Sequence, residues 1–543
     1  MHQSEEAQQV FEGSLPVEHE IDMHLGYSSI KALSRPPWRR AIVDRLEGRR
    51  ALSAGMLLSV AAALARRWKA TIPERRVGIA LPPGLGATVA NLALVLIDKV
   101  AVNLNFTLGK AACEACIRQA EIRVLISSPL MKEKVPQFPW PEATLDVREE
   151  IKACGKASIL GWLPMIWSLP ARLIARKLGT PATGGRREAA LLFTSGSSGD
   201  PKGVVLSHCN IQANVAQIHA TGLLRGSDVL LGNLPVFHSF GFTGTLWYPL
   251  LKGAGLVTVP SPLEVRKAVE AVKEEKVSVL IGTPTFLRPY LKKAEGDELA
   301  NLRLVVAGAE KTSRELMKRF RERFGVSILE GYGITETSPV VSVNVPEVAA
   351  ANGRRTFREG SVGKLLPGIA ARIVDPETFD DRSPTECGLL LLRGPNVFEG
   401  YLNNPKATEE SFFERWYITG DLACFDKDGF LYIQGRNSRF SKIGGEMVSH
   451  GAIEEALLKI HGWQEEEENP VAVMGVSDPA KGESLVLLTT RDVSREDLRK
   501  RLSEAGYSNL WLPRKVRKVD GIPCLASGKL DLRKCRELAP EAK

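Results

Sequence analysis

Leu191 to His208 reads LLFTSGSSGDPKGVVLSH. An apolar run, Ala189 to Phe193, meets a loop of small residues, Thr194-Ser195-Gly196-Ser197-Ser198-Gly199, followed by Asp200-Pro201-Lys202-Gly203. Such a loop suits phosphate. Glycines let backbone N–H groups approach oxyanions with no Cβ in the way, the hydroxyls of Thr194, Ser195, Ser197 and Ser198 add donors, and Lys202 adds charge. The stretch cannot be written as GxxxxGK(S/T), which excludes the common P-loop. A plain Ser/Gly turn between two strands is the bland alternative, and the density of hydroxyls, glycines and a lysine hard against an apolar run argues against it.

On both sides of this loop the chain alternates strand and helix. Arg76 to Leu81 runs into Pro82-Pro83-Gly84, a helix follows over Ala87 to Ile97, then a strand over Val100 to Leu104, a helix through Cys116 and a strand over Val124 to Ser127. This alternation predicts an α/β fold with parallel sheets and flanking helices. Downstream, Ser207 is placed to cap a helix reaching about His219, and further strands are expected at Val229 to Leu231, Gly255 to Val259, Ser278 to Ile281 and Leu302 to Ala307. The last two run into Gly282-Thr283-Pro284 and Gly308-Ala309-Glu310, strand-to-loop junctions of the kind that line ligand sites. From about Gly360 short strands and turns predict a small β-rich unit. After Arg436 the pattern is that of an α+β cap, with helices at Ile453 to Ile460 and Arg495 to Ala505 and strands at Val471 to Gly475 and Leu485 to Thr490. The expected organisation is a disordered tail over residues 1–25, a large N-terminal domain over 26–436 and a mobile C-terminal cap over 437–543.

Composition narrows the class. The 543 residues are 44% hydrophobic and 25% charged, with a net charge of +9, ordinary for a soluble protein of more than one domain. The mild basic excess suits anionic ligands and is too thin to imply nucleic acid. Eight cysteines are scattered, and Cys113 and Cys116, one helical turn apart, read as small core residues because zinc would want a second pair. The acidic N-terminus lacks the apolar core of a leader, so a cytoplasmic protein is expected. Residues 159–177, ILGWLPMIWSLPARLIARK, are apolar and Trp-bearing with a basic end. They read either as a segment lying at a membrane surface or as a hydrophobic cover on the N-terminal domain.

Four further stretches carry chemistry. Glu330 to Thr337 reads EGYGITET. A threonine hydroxyl can donate to phosphate, a glutamate is the hard oxygen ligand that Mg²⁺ prefers, and a tyrosine offers a flat face to adenine. A surface Thr-Glu pair at a strand end is the plain alternative. Trp416 to Leu422 reads WYITGDL, in which TGD alone signals a turn; Ala526 to Leu530 reads ASGKL; and His238 sits in LPVFHSFGF, where a lone histidine is more often a structural hydrogen bonder.

Taken in order, these stretches resemble the adenylate-forming superfamily of acyl-CoA synthetases, acyl-carrier-protein synthetases, peptide synthetase adenylation domains and luciferases. Ser195 to Gly203 fits its Ser/Thr-Gly-Ser/Thr-Ser/Thr-Gly-x-Pro-Lys-Gly signature without a departure, and YGITE, TGD, Gly435-Arg436 and SGK follow at the family's spacing. The resemblance implies phosphate contacts from Thr194, Ser195, Gly196, Ser197, Ser198, Gly199 and Lys202, and an adenine slot built by Gly308, Ala309, Glu310 and Tyr332. It puts Thr335 on phosphate, Glu336 on Mg²⁺, Asp421 on both ribose hydroxyls with Arg436 beside it, and His238 next to the substrate carboxylate, with Phe240 and Phe242 flanking an acyl tunnel. Lys529 would reach the α-phosphate from a cap that rotates between half-reactions. The implied chemistry is attack of a carboxylate on the α-phosphate of MgATP to give acyl-AMP and pyrophosphate, followed by transfer of the acyl group to a thiol. The hinge departs from the family pattern, with Ser438 where Asp or Lys is common.

GRNSRFSKIGGEMVS and LEGYGITETSPVVSVNVP resemble one branch in particular, the acyl-carrier-protein synthetase half of bacterial 2-acylglycerophosphoethanolamine acyltransferase. That branch implies a long-chain fatty acid as substrate and acyl carrier protein as acceptor, with coenzyme A, or a luciferase-like oxygenase, as alternatives. The HxxxxD motif and membrane segments of the companion acyltransferase half do not occur, so a free-standing synthetase is expected. WLPRKVRK, Trp511 to Lys518, places four cations on the cap, suited to docking an acidic carrier protein or, equally, to a charged strand edge.

Overall fold

Short runs that are apolar at every position belong in strands covered on both faces, and Val100–Asn103 is buried throughout. In a computed structural model, which describes residues 18–194, 201–347, 355–443, 446–464, 469–478, 482–524 and 530–539, this strand lies near the middle of a seven-stranded sheet. The order is Gly400–Tyr401, Lys202–Ser207, Glu188–Thr194, Val100–Asn103, Arg76–Ile79, Val124–Ser127, Ala143–Asp146. A second sheet of nine strands has a parallel centre built from Leu304–Ala307, Val279–Gly282, Val229–Gly232, Gly255–Thr258 and Arg40–Asp44. Ala370–Val374, Gly388–Arg393, Trp416–Phe425 and Leu431–Arg436 pair antiparallel, forming the expected β-rich unit. The cap has its own sheet and its own core, in which Ile453, Leu457, Leu485 and Leu498 are buried together.

Local signals place the elements. Ser207 caps the helix His208–Ala220, its hydroxyl accepting from the Asn210 N–H while the Asn210 side chain accepts from the Ser207 N–H. Cys113 and Cys116 are buried in the helix Lys110–Gln119, as small core residues would be. The segment 156–178 forms three short helices, Lys156–Leu160, Trp162–Ser168 and Ala171–Leu178. Pro164 does not break the middle one because it sits in the first turn, where no intrahelical N–H is needed; the breaks fall at Gly161 and at Leu169-Pro170. The disordered tail expected over 1–25 needs correction at its end. Glu18–Ile21 is helical, and His24 and Leu25 are completely buried, since an apolar leucine and a hydrogen-bonded histidine gain a place in the core.

His24 belongs to a tie between three parts of the sequence. Its Nε2 lies 2.9 Å from Asp98 Oδ1, and His208 Nε2 approaches the same oxygen at 3.8 Å. Arg187 Nη1 holds the other oxygen at 2.7 Å. Each imidazole accepts a backbone N–H at Nδ1, from Gly26 and Leu25 respectively, both at 3.1 Å. A neutral ring has one lone pair, so the proton of each must sit on Nε2 and face the carboxylate. Although these groups have the composition of a metal site, the lone pairs that would bind a cation are already engaged.

Burial, against the opposing pull of Asp98, lowers His208 to about 4. Burial alone would raise Asp98, but His208, His24 and Arg187 outweigh it and hold the carboxyl well below the usual range. A histidine kept neutral when folded binds fewer protons than the unfolded chain does between about pH 6.5 and its depressed value. Its contribution to stability is therefore complete above that window and lost as pH falls through it, and the loss from Asp98 follows at lower pH. The melting temperature should fall between about pH 6.5 and 4, and His208→Asn should flatten that fall. An unchanged slope in the variant would contradict the assignment.

Candidate active site

Register brings three turns together. Gly282 lies opposite Ala307, and Ala307 opposite Glu330, so the turns after these strands leave the carboxyl edge of the nine-stranded sheet side by side. Gly308 permits close packing there: a Cβ on it would stand 3.3 Å from Cε1 and Cζ of Phe240. Ala309 takes left-handed backbone with φ of 70°. Glu310 accepts from the Thr285 N–H at 3.2 Å and its hydroxyl at 2.6 Å, while Glu310 Oε1 is buried without a hydrogen-bond partner. Buried acceptors are rarely left so unless something is missing from the site.

A second group forms around Asp421, only 3% exposed. The Tyr332 hydroxyl donates to Oδ2, and Arg436 Nε stands 3.0 Å from Oδ1. Strand pairing places Asp421 directly across from Arg436. Thr419 orients both: its hydroxyl accepts from the Asp421 N–H at 3.0 Å, and its carbonyl accepts from Arg436 Nη1 at 2.9 Å. Between them Gly420, at φ 73°, supplies a left-handed residue that a side chain would disfavour. Burial and the Asp421 charge push the Tyr332 hydroxyl well above its ordinary pKa, so it acts as a fixed donor.

A third group forms around Glu336. Its Oε1 accepts from the Tyr401 hydroxyl at 2.9 Å, and Lys202 Nζ lies 4.9 Å above the Tyr401 ring. The Thr335 hydroxyl meets Ser239 Oγ at 3.2 Å, joining the turn after Val229–Gly232 to the same place. Burial first and the Glu336 charge second raise the Tyr401 phenol. Sequence reading passed over Tyr401, because its strand, Gly400–Tyr401, reaches the phosphate-type loop only by pairing with Lys202–Ser207.

Of the residues expected from sequence, Tyr332, Thr335, Glu336, Asp421, Arg436 and Lys202 thus occupy two polar groups, and Gly308, Ala309 and Glu310 a neighbouring turn. Thr194 and Lys202 face each other across an antiparallel pair, so the intervening loop begins and ends at one point. Ser195, Gly196, Ser197, Ser198, Gly199 and Lys529 lie outside the described residues. His238 is exposed at the start of the short helix Ser239–Gly241, its ring 4.8 Å from Phe237. Phe242 is fully buried, edge-on to Trp247 at 6.0 Å. Among the described residues, a cleft of about 330 Å³ lies where the carboxyl edges of the two large sheets meet, between Pro82 and Phe106 on one side and Phe237 and Pro260 on the other.

The cap joins at Asn437–Arg439, a single 3-10 turn directly after Arg436. Its charged contact is made beside Ser438 by Arg439, which pairs with Glu454 at 2.6 Å and donates to the Val473 carbonyl at 2.7 Å. Across the interface, Lys311 pairs with Glu455 at 2.7 Å and Arg288 donates to the Gln464 carbonyl at 3.3 Å.

Comparison with known proteins agrees with this geometry. The profile of a family described as AMP-binding enzyme matches residues 31–402. A long-chain-fatty-acid–CoA ligase of Bacillus subtilis (strain 168) is 31% identical over 303 residues, 55% of this chain and 51% of that protein. The long-chain-fatty-acid–CoA ligase of Escherichia coli O157:H7 is 30% identical over 364 residues, 65% of this chain and 62% of that protein. The chain therefore spans about half to three-fifths of the length of these curated relatives. Among solved structures, the o-succinylbenzoate coenzyme A synthetase of Bacillus subtilis in complex with ATP and magnesium ion aligns with a TM-score of 0.76 at 23% identity, covering 94% of this chain and 99% of that one. At that identity the likeness is one of fold.

If the Tyr401 phenol holds Glu336 in place, Tyr401→Phe should lower unfolding stability by about 1 kcal/mol, the ordinary worth of one such bond. A urea titration showing no shift in midpoint would mean that solvent holds Glu336 equally well.

Proposed function

The chain belongs to the AMP-binding enzyme family, and from that premise we propose that it activates a carboxylic acid with MgATP and passes the acyl group to a thiol, the acid being a long-chain fatty acid. One observation carries the reading: Tyr332, Asp421 and Arg436, from separate motifs, are joined by a direct hydrogen bond and an ion pair beside the carboxyl edge of a parallel sheet, and Glu336, from the same motif as Tyr332, is held there by Tyr401, where such folds bind ligands.

The donors and acceptors fit a magnesium nucleotide. Glu310 Oε1, buried and unpartnered, suits a donor such as the amino group of adenine. Asp421 holds two donors, Tyr332 Oη and Arg436 Nε, and a pair of ribose hydroxyls can take over these bonds with the same planar geometry. Glu336 would hold magnesium, which neutralises phosphate charge when bound. Thr194 and Lys202, with the loop residues Ser195 to Gly199, would hold the phosphates, and Thr335 would donate to one of them. Lys529 would stabilise charge building at the α-phosphorus. There the substrate carboxylate forms a new bond to phosphorus as the bond to pyrophosphate breaks, and a thiolate then displaces AMP from the acyl carbon. His238 would stand beside the substrate carboxylate.

The relatives named above act on long-chain fatty acids and coenzyme A, which supports both for this chain. The carrier-protein reading rests on the cations of 511–518. There Arg514 pairs with Asp478, Lys518 with Asp492 at 2.6 Å, and Arg517 donates to the Leu538 carbonyl at 2.7 Å. These partners reduce the field left to steer an acidic protein, so coenzyme A is the preferred acceptor.

Lys529→Ala should abolish pyrophosphate release from ATP and fatty acid while sparing thioester formation from supplied acyl-AMP, because its charge acts only in the first transition state. Equal loss in both half-reactions would contradict the role. Running the second half with coenzyme A and with acyl carrier protein identifies the acceptor: turnover confined to the carrier protein would overturn the preference for coenzyme A.

A further inference from the structure

The large apolar side chains exposed among the described residues are Trp38, Leu160, Trp167, Leu173 and Leu263, with the two tryptophans 70% and 62% exposed. Four of these five belong to one surface. Leu160, Trp167 and Leu173 lie on the three short helices of 156–178, and Trp38 meets Trp167 edge-on with ring centres 6.4 Å apart. The helices have two distinct faces. Trp162, Ile166, Ile174 and Leu178 are buried in the N-terminal core, which fixes the segment as a cover, while the opposite side presents indole and leucine to solvent. The cover reading of 159–177 is therefore seen on one face, and the other face is left exposed.

The segments that form this surface are basic. Residues 156–178 contain four basic and no acidic side chains, and residues 31–40 likewise four and none. Lys156, Arg172 and Arg176 are exposed, and among the described residues none of them forms an ion pair. Exposed indole rings on segments that carry unpaired cations are what the boundary of an anionic bilayer selects, with the rings at headgroup depth and the cations over lipid phosphates. No described helix is long and apolar enough to cross a membrane.

The surface is also connected to the active site. The helical run 239–252 starts at Ser239, against Thr335, and ends at Gly253, near the guanidinium of Arg39, the residue that follows Trp38 in the chain.

We propose that the face formed by Trp38, Leu160, Trp167 and Leu173 docks on an anionic phospholipid bilayer. The proposal goes beyond the ligase reading and does not depend on it. The test is co-sedimentation of the full chain with phosphatidylcholine vesicles with and without phosphatidylglycerol, alongside quenching of its tryptophan fluorescence by brominated lipid. The wild type should bind the anionic vesicles and be quenched. A Trp38→Ser/Trp167→Ser double variant and, independently, an Arg172→Glu/Arg176→Glu variant should each bind about tenfold more weakly or worse, with melting temperatures matching the wild type. Wild-type protein that ignores anionic vesicles, or a tryptophan variant that binds as the wild type does, would overturn the proposal. A solution dimer that the tryptophan variant dissolves, without vesicle binding, would overturn it in favour of a second copy of the chain.

Discussion

A buried carboxylate must have partners, because leaving its charge unpaired in a region of low dielectric costs several kcal/mol. Asp421 meets that requirement with residues from two different units: Tyr332, at the end of a strand in the nine-stranded sheet, and Arg436, on the neighbouring strand of the β-rich unit. The bond to Tyr332 is one of several contacts that seat the third sheet against the second, beside those of Asn396 with Thr337 and of Arg358 with Asp426. Arg436 is also the last residue before the turn that starts the cap. One ionised side chain therefore joins the three structural units at the point where their polar groups face each other, and a ligand that competes for its oxygens acts on all three.

The rest of the site follows from strand register. Parallel strands in register deliver Thr283, Gly308 and Gly331 to one edge, and the short pairing of Gly400–Tyr401 with Lys202–Ser207 brings a phenol between Lys202 and Glu336. The cap is held more lightly. Among the described residues its polar contacts with the large domain include an exposed Lys311–Glu455 pair and one side-chain bond to a carbonyl, and exposed pairs of this kind contribute little.

Much of this was legible in the sequence. Buried strands such as Val100–Asn103 are visible because both faces are covered, which makes every position apolar, and the helix after Ser207 is visible because its cap is local. The α/β class follows from the alternation of strand and helix, and the expectation that Tyr332, Glu336, Asp421 and Arg436 share a site comes from the family resemblance of short motifs. What escaped depends on contacts between distant segments. Tyr401 carries no local signal, since its partner is 65 residues away. The tie of His24 to Asp98 and His208 joins segments too far apart for any periodicity to link, and it orders a stretch that composition marks as tail. The cations of 511–518 look available in sequence, but Asp478 and Asp492 reach them only through the fold of the cap.

The central claim is that the Asp421 cluster is a nucleotide site. Titration calorimetry of MgATP against the wild type and Asp421→Asn, at matched melting temperatures, addresses it without requiring turnover. Asparagine keeps the size and can still accept from Tyr332, but loses the charge and one strong acceptor, so affinity should fall by about tenfold or more. Equal affinity in the two proteins would contradict the account.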